Sequence, residues 1–225
     1  MNQLTNNQIT ILKSNGYLFL QEFEPDLSTY DVAAKIGIIQ DINGIPTVQQ
    51  LQPKDRYEST SNIYSGNYGL GEFPLHSDLA HWAMPPRYFI LRCVVPATKA
   101  YTFLFDVHGI LENIENTIIE RALFKPRKKI SGHMNLLRFH EIESGVDKYR
   151  WDNLFIVADN QEANIITKYI SDNYTSENSE LRCYYTTPGD TAIVDNWKMF
   201  HGRSSIPVTD KDRLIERIYL SGIFK

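Results

Sequence analysis

Apolar positions along this 225-residue chain recur with two periods. Short runs rich in β-branched and aromatic residues at 17–20, 48–51, 88–95, 101–105, 181–186, 191–194 and 215–222 predict strands. Between them, segments 109–123 and 160–171 carry apolar residues at three- and four-residue steps, which predicts helices. Near the start, Asn6 or Asn7 is placed to cap a short helix through Leu12 that Gly16 stops. Ser28, with Asp31 three residues on, resembles a capping box for a helix ending near Gly37. Strands cluster on both sides of a helical centre instead of alternating strictly with helices. That order disfavours a doubly wound parallel sheet and favours a mainly β chain with flanking helices around an antiparallel jelly-roll core.

The 12 glycines and 10 prolines are spread along the chain, no repeat is visible, and no linker stands out, so a single domain over residues 1–225 is expected. A net charge of −4 excludes general coating of a phosphate backbone and disfavours nucleic acid as a partner. Cys93 and Cys183 lie in the apolar contexts LRCVVP and LRCYYT. Two such cysteines suit reduced core thiols better than a disulfide framework. No basic leader followed by an apolar stretch and no long apolar run is present, so the expected location is the cytoplasm, away from membranes.

Candidate chemistry begins at FPLHSD, where His76 and Asp78 alternate onto one face of a strand or its following turn. Alone the pair means little, because six histidines and 27 acidic residues in 225 predict about 0.7 such pairs by chance. A second segment, PGDTAIVDNWKMFHGR, reads as a turn, a buried strand and then His201, with Gly202 behind it permitting close backbone approach. Two imidazoles and a carboxylate from distant segments would form the facial triad typical of non-haem Fe(II) oxygenases. Further on, Arg213, Ile215, Arg217 and Tyr219 share one face of a strand. If that face points inward, two guanidinium groups each need an anion.

Taken in order, FPLHSD, Tyr101-Thr102, DNWKMFHGR and RLIER resemble the TauD/TfdA (taurine dioxygenase and clavaminate synthase-like) superfamily of Fe(II)/2-oxoglutarate-dependent dioxygenases, over about residues 60 to 220. The resemblance implies a double-stranded β-helix with iron held by His76, Asp78 and His201. It places Thr102 and Arg213 on the C5 carboxylate of the co-substrate 2-oxoglutarate, and Arg217 near either the substrate or the C1 carboxylate. It further implies reaction with dioxygen, release of succinate and CO2, and hydroxylation of a small-molecule substrate, anionic or amino-acid-like. Halogenating relatives carry a small residue where Asp78 stands, so hydroxylation is expected here, with desaturation or ring closure using the same triad.

Other readings stay beside these. A cupin-like metal enzyme without 2-oxoglutarate, or a non-catalytic jelly-roll binding protein, would share the histidines. Arg203 either contacts substrate or pins its loop to an acidic neighbour such as Asp195. The segment 61–69 has loop composition and either walls the substrate pocket or covers the surface. The basic run Lys125 to Lys129 suits a solvated face more than an anion site. His81, His108, His133 and His140 lack an acidic residue two places on and are read as structural, while Trp82, Pro85 and Pro86 shape the approach to the next strand. Oligomeric state is not legible.

Overall fold

The computed structural model describes residues 3–60, 63–130 and 132–224. Its strands, in chain order, are β1 (Tyr17–Leu20), β2 (Gly37–Ile39), β3 (Gln49–Leu51), β4 (Phe73–His76), β5 (Tyr88–Val95), β6 (Tyr101–Asp106), β7 (Leu123–Pro126), β8 (Leu137–Arg138), β9 (His140–Glu143), β10 (Val146–Tyr149), β11 (Ile156–Ala158), β12 (Leu181–Tyr184), β13 (Thr191–Asp195), β14 (Met199–Arg203) and β15 (Leu214–Ile223). The helices are α1 (Asn6–Asn15), α2 (Thr29–Ile36), α3 (Tyr64–Tyr68), α4 (Val107–Leu111), α5 (Asn116–Arg121) and α6 (Gln161–Asn173).

Two antiparallel sheets carry the architecture. The larger has the order β1-β13-β5-β15-β2, with β3 also on β15; the smaller has the order β12-β6-β14-β4. Consecutive strands step between them: β4, β6, β12 and β14 lie in the smaller sheet, and β5, β13 and β15 in the larger. Period-two alternation then sorts the side chains. Phe89, Leu91 and Cys93 of β5 meet Leu104, Cys183 and Met199 of the smaller sheet in a core between the sheets. Tyr88 and Ile90 turn outward, where α1 and α2 cover them with Ile9, Leu12, Val32 and Ile36. The outer face of the smaller sheet, with Leu75, Phe103 and Phe200, is covered by the 107–180 insertion through Phe124, Trp151, Ile166 and Ile170. Each fully buried aliphatic side chain in these layers contributes about 1.5–3 kcal/mol.

Local signals set the ends of the helices. Thr5 caps α1 with Gln8 in a capping box, and Gly16 stops it in the left-handed conformation at φ 75°. Ser28 caps α2 by accepting from Asp31 N–H. The continuous helix expected over 109–123 is corrected to α4 and α5, split at residues 112–115. Spacing of Ile110, Leu111, Ile118 and Ile119 suits two short helices as well as one, and pairing of β7 with β8 and β11 draws the chain into a strand from Leu123. Segment 61–69 is likewise corrected. Residues 61 and 62 lie outside the described residues, and the rest is mostly the helix α3, whose Tyr64 and Tyr68 rings stack at 5.8 Å and pack on Phe73. The strand expected over 181–186 ends at Tyr184.

Gly202 marks a close approach. A Cβ there would lie 2.1 Å from Phe103 Cζ and 2.6 Å from the Phe73 carbonyl oxygen. Gly202→Ala is expected to destabilise the protein by about 1–3 kcal/mol, read as a lowered midpoint in urea unfolding without a change in slope.

Candidate metal centre

Strand pairing assembles the ligands. β4 and β14 are antiparallel neighbours with His76 directly opposite His201, and their ring centroids are 4.3 Å apart. Asp78 follows two residues beyond His76, and its Oδ1 lies 3.8 Å from Nε2 of each histidine. All three side chains are buried, and one ligand atom from each falls within 4.8 Å of the others. Cis ligands around an ion with bonds of about 2.1 Å stand about 3 Å apart, so a modest contraction suffices.

The protonation pattern suits a divalent cation. His76 Nδ1 is 2.8 Å from the Pro74 carbonyl, so Nδ1 carries a proton donated to that oxygen and the ring turns Nε2 toward Asp78. Burial pushes His201 down to about 3, with His76 adding to the effect, so this imidazole is neutral at ordinary pH. For Asp78, burial raises the pKa, but Arg217, His201 and His76 outweigh it and the net shift is downward. The donor set is therefore two imidazole nitrogens and one carboxylate oxygen, opening onto a cavity of about 510 Å³.

A side chain from the second segment holds the first in place. Asn196 Oδ1 accepts from Asp78 N–H at 2.7 Å, while Asn196 Nδ2 donates to the Asp78 and Pro86 carbonyls at 3.0 and 2.9 Å. Trp197 Nε1 donates to the Pro85 carbonyl at 3.1 Å, so the prolines after the His-x-Asp pair serve the same clamp. Orienting partners of this kind are worth about 10- to 100-fold in metal affinity. Asn196→Ala is expected to weaken Fe(II) binding by that factor under anaerobic calorimetric titration.

Arg213, Ile215, Arg217 and Tyr219 all line the cavity, as period-two spacing predicts. Arg213 is buried, forms no salt bridge among the described residues, and leaves Nε without a hydrogen-bond partner. Thr102 of β6 lines the same cavity. Arg217 is engaged: Nη1 donates to both carboxylate oxygens of Asp78 at 2.7 and 2.8 Å, and Nη2 to Gln49 Oε1 at 2.8 Å. Arg203 does not reach Asp195, whose partner is Arg87 at 3.5 Å. Instead its Nη2 donates to the Gly69 and Gly71 carbonyls and its guanidinium sits 3.5 Å over the Phe73 ring. It pins the loop before β4, and burial with nearby Arg213 lowers its pKa to about 9.

The remaining assignments divide. Lys125 pairs with Asp159 at 2.8 Å, Arg127 to Lys129 are exposed, and none of the run lines this cavity. His140 pairs with Asp147 at 2.7 Å. Cys93 and Cys183 are free and buried. Sequence reasoning missed His81, Asp152 and Phe155 as cavity walls, whereas Tyr64 belongs to the 61–69 segment read as either a pocket wall or a surface cover, and it lines the cavity. The spacing rule applied to His81 tests only for metal ligands, and nothing in KYRWDN distinguishes Asp152 from a surface acid. Among the described residues no helix is long and apolar enough to cross a membrane.

No protein-family model and no curated protein matches the sequence. Solved structures do. A taurine dioxygenase from Burkholderia xenovorans superposes with TM-score 0.67 at 15% identity, over 100% of this chain and 82% of that one. PvcB from Pseudomonas aeruginosa gives 0.64 at 13% identity, over 96% and 80%; it is described as an Fe, alpha-ketoglutarate dependent oxygenase from an isonitrile synthetic pathway. An asparagine oxygenase in complex with Fe(II), 2S,3S-3-hydroxyasparagine and succinate gives 0.63 at 18%, over 83% of this chain and only 60% of its own. The chain therefore has the fold of the taurine dioxygenase-like, Fe/alpha-ketoglutarate-dependent oxygenases.

Proposed function

We propose that this protein is an Fe(II)- and 2-oxoglutarate-dependent dioxygenase that hydroxylates an unactivated C–H bond of a small, amino-acid-like substrate. One observation carries the reading: the His76, Asp78 and His201 donors open onto the same cavity as Arg213, a buried cation that forms no salt bridge among the described residues. An unpaired buried guanidinium is costly, and a dicarboxylate co-substrate supplies the missing charge through a bidentate contact. The step of successive strands between two facing sheets supports the double-stranded β-helix.

Each residue then has a task. His76, Asp78 and His201 would hold the iron through two imidazoles and one carboxylate. Arg213 and Thr102 fix the far carboxylate of 2-oxoglutarate. Arg217, on the Asp78 carboxylate, holds that ligand ionised and aimed. Bound Fe(II), with 2-oxoglutarate and dioxygen, supplies oxidative decarboxylation to succinate and CO2 coupled to attack on the substrate C–H. Asp78 fills the position that halogenating relatives leave vacant, which favours hydroxylation. The asparagine oxygenase, with a hydroxylated amino acid and succinate bound, supports the substrate class.

Anaerobic addition of Fe(II) and then 2-oxoglutarate is expected to produce a visible metal-to-ligand charge-transfer band, with succinate released once air is admitted. Iron binding without the band, and no succinate under air, would sink the proposal.

A further inference from the structure

The wall of the cavity beside His76 contains a buried carboxylate with no cationic salt-bridge partner among the described residues. Asp152 is 1% exposed and pairs as an isolated bridge with His76. Its Oδ1 accepts the amide hydrogens of Leu154 and Phe155 at 2.8 and 3.0 Å. Among the described residues no cation forms a salt bridge with this carboxylate; the Tyr64 hydroxyl is the side-chain donor beside it, and burial raises the pKa of Asp152. A buried carboxylate left in that state is costly unless something brought to it supplies the charge.

Two neighbours extend the site. Tyr64 stacks on His76 at 4.4 Å, and burial together with the neighbouring Asp152 carboxylate raises its pKa; no partner closes to ordinary hydrogen-bond distance of its buried Oη. His81 lies 4.9 Å from the Phe155 ring, and its Nε2 is 3.1 Å from Trp82 Nε1. An indole N–H only donates, so His81 Nε2 carries the lone pair. In this neutral ring, which burial pushes down to about 4, the proton sits on Nδ1. That Nδ1–H is also buried without a partner. The wall thus offers an anion, a hydroxyl and one spare donor, and Tyr64, His81, Asp152 and Phe155 all line the cavity.

We infer that this wall is the substrate-anchoring subsite: Asp152, aided by the Tyr64 hydroxyl, takes a primary ammonium group, and His81 Nδ1–H donates to an acceptor oxygen on the same molecule. Both features occur together on an α-amino acid. The inference rests on the proposed dioxygenase reading for its meaning, since it places the substrate beside the iron ligand His76, but its binding chemistry is independent of the cofactor.

The test uses L-α-amino acids as a panel, each with its N-acetyl and 2-hydroxy acid counterpart, titrated calorimetrically into the Fe(II) and 2-oxoglutarate-loaded protein without air and into the metal-free protein. Binding is expected only for free amines. Asp152→Asn, which keeps the Oδ1 acceptor for the two amides, is expected to weaken the best amine on the order of ten- to hundredfold. Tyr64→Phe, which preserves the ring, is expected to weaken it by roughly three- to tenfold. The inference is overturned if no amine in the panel binds, if a counterpart lacking the amine binds as tightly, or if Asp152→Asn binds the amine unchanged. Should the charge-transfer band be absent from wild-type protein, the cofactor reading fails, and titration of the metal-free protein still decides the subsite.

Discussion

Arg213→Ala is expected to raise the 2-oxoglutarate concentration for half-maximal succinate formation on the order of a hundredfold or more, because a buried charge-assisted contact to a carboxylate is worth about 2–5 kcal/mol. The expectation follows from burial without a salt bridge among the described residues: the guanidinium's Nε has no hydrogen-bond partner there, and burial lowers its pKa. On the proposed assignment, removing it would leave Thr102 as the remaining contact to the far carboxylate of the co-substrate. Thr102→Val, which deletes one neutral hydrogen bond, is expected to cost about tenfold. Arg213→Lys keeps the charge but loses the planar fork, and falls between. Initial rates of succinate release at varied 2-oxoglutarate give all three values. Unchanged half-saturation in Arg213→Ala would mean that the cation serves only the fold.

The face shared by Arg213, Ile215, Arg217 and Tyr219 was readable because it is a local, period-two property of one strand, and all four residues line the cavity. Helix caps at Gly16 and Ser28 were readable for the same reason. What eluded the sequence is non-local. β14 was not anticipated as a strand in its own right, although its pairing with β4 sets His201 across from His76. Neither was the choice of partner for Arg217, which closes on Asp78 from 139 positions away, nor that for Arg203, which binds two carbonyls in place of a carboxylate. Asp152 sits in an insertion whose packing depends on Phe124, Phe139 and the α6 face, and short-range patterning holds no trace of its burial. The 109–123 segment failed in the opposite direction. Its helical spacing is present, but sheet pairing of Leu123 with Arg138 overrides it.

Asp78→Asn and His201→Gln are each expected to lower substrate-dependent succinate formation on the order of a thousandfold or more, since either loses a proposed iron ligand. Their metal-free forms should differ. Asp78 is the carboxylate that both Arg217 Nη1 contacts engage, and the Arg217 side chain retains only 20% exposure. Asp78→Asn therefore leaves a largely buried guanidinium with Gln49 as its other partner, at a cost of about 2–3 kcal/mol. His201→Gln removes a neutral ring and breaks no ion pair. In chelator-treated urea unfolding near neutral pH, Asp78→Asn should be the less stable of the two by about that amount. The sign of the pH dependence follows from the lowered Asp78 pKa. The pair's stabilisation is fully present above the ordinary aspartate value and lost as pH falls through the depressed folded value, so the gap between wild type and Asp78→Asn narrows only in acid. Equal stability of the two metal-free variants at neutral pH would show that Arg217 finds another partner once Asp78 is neutral.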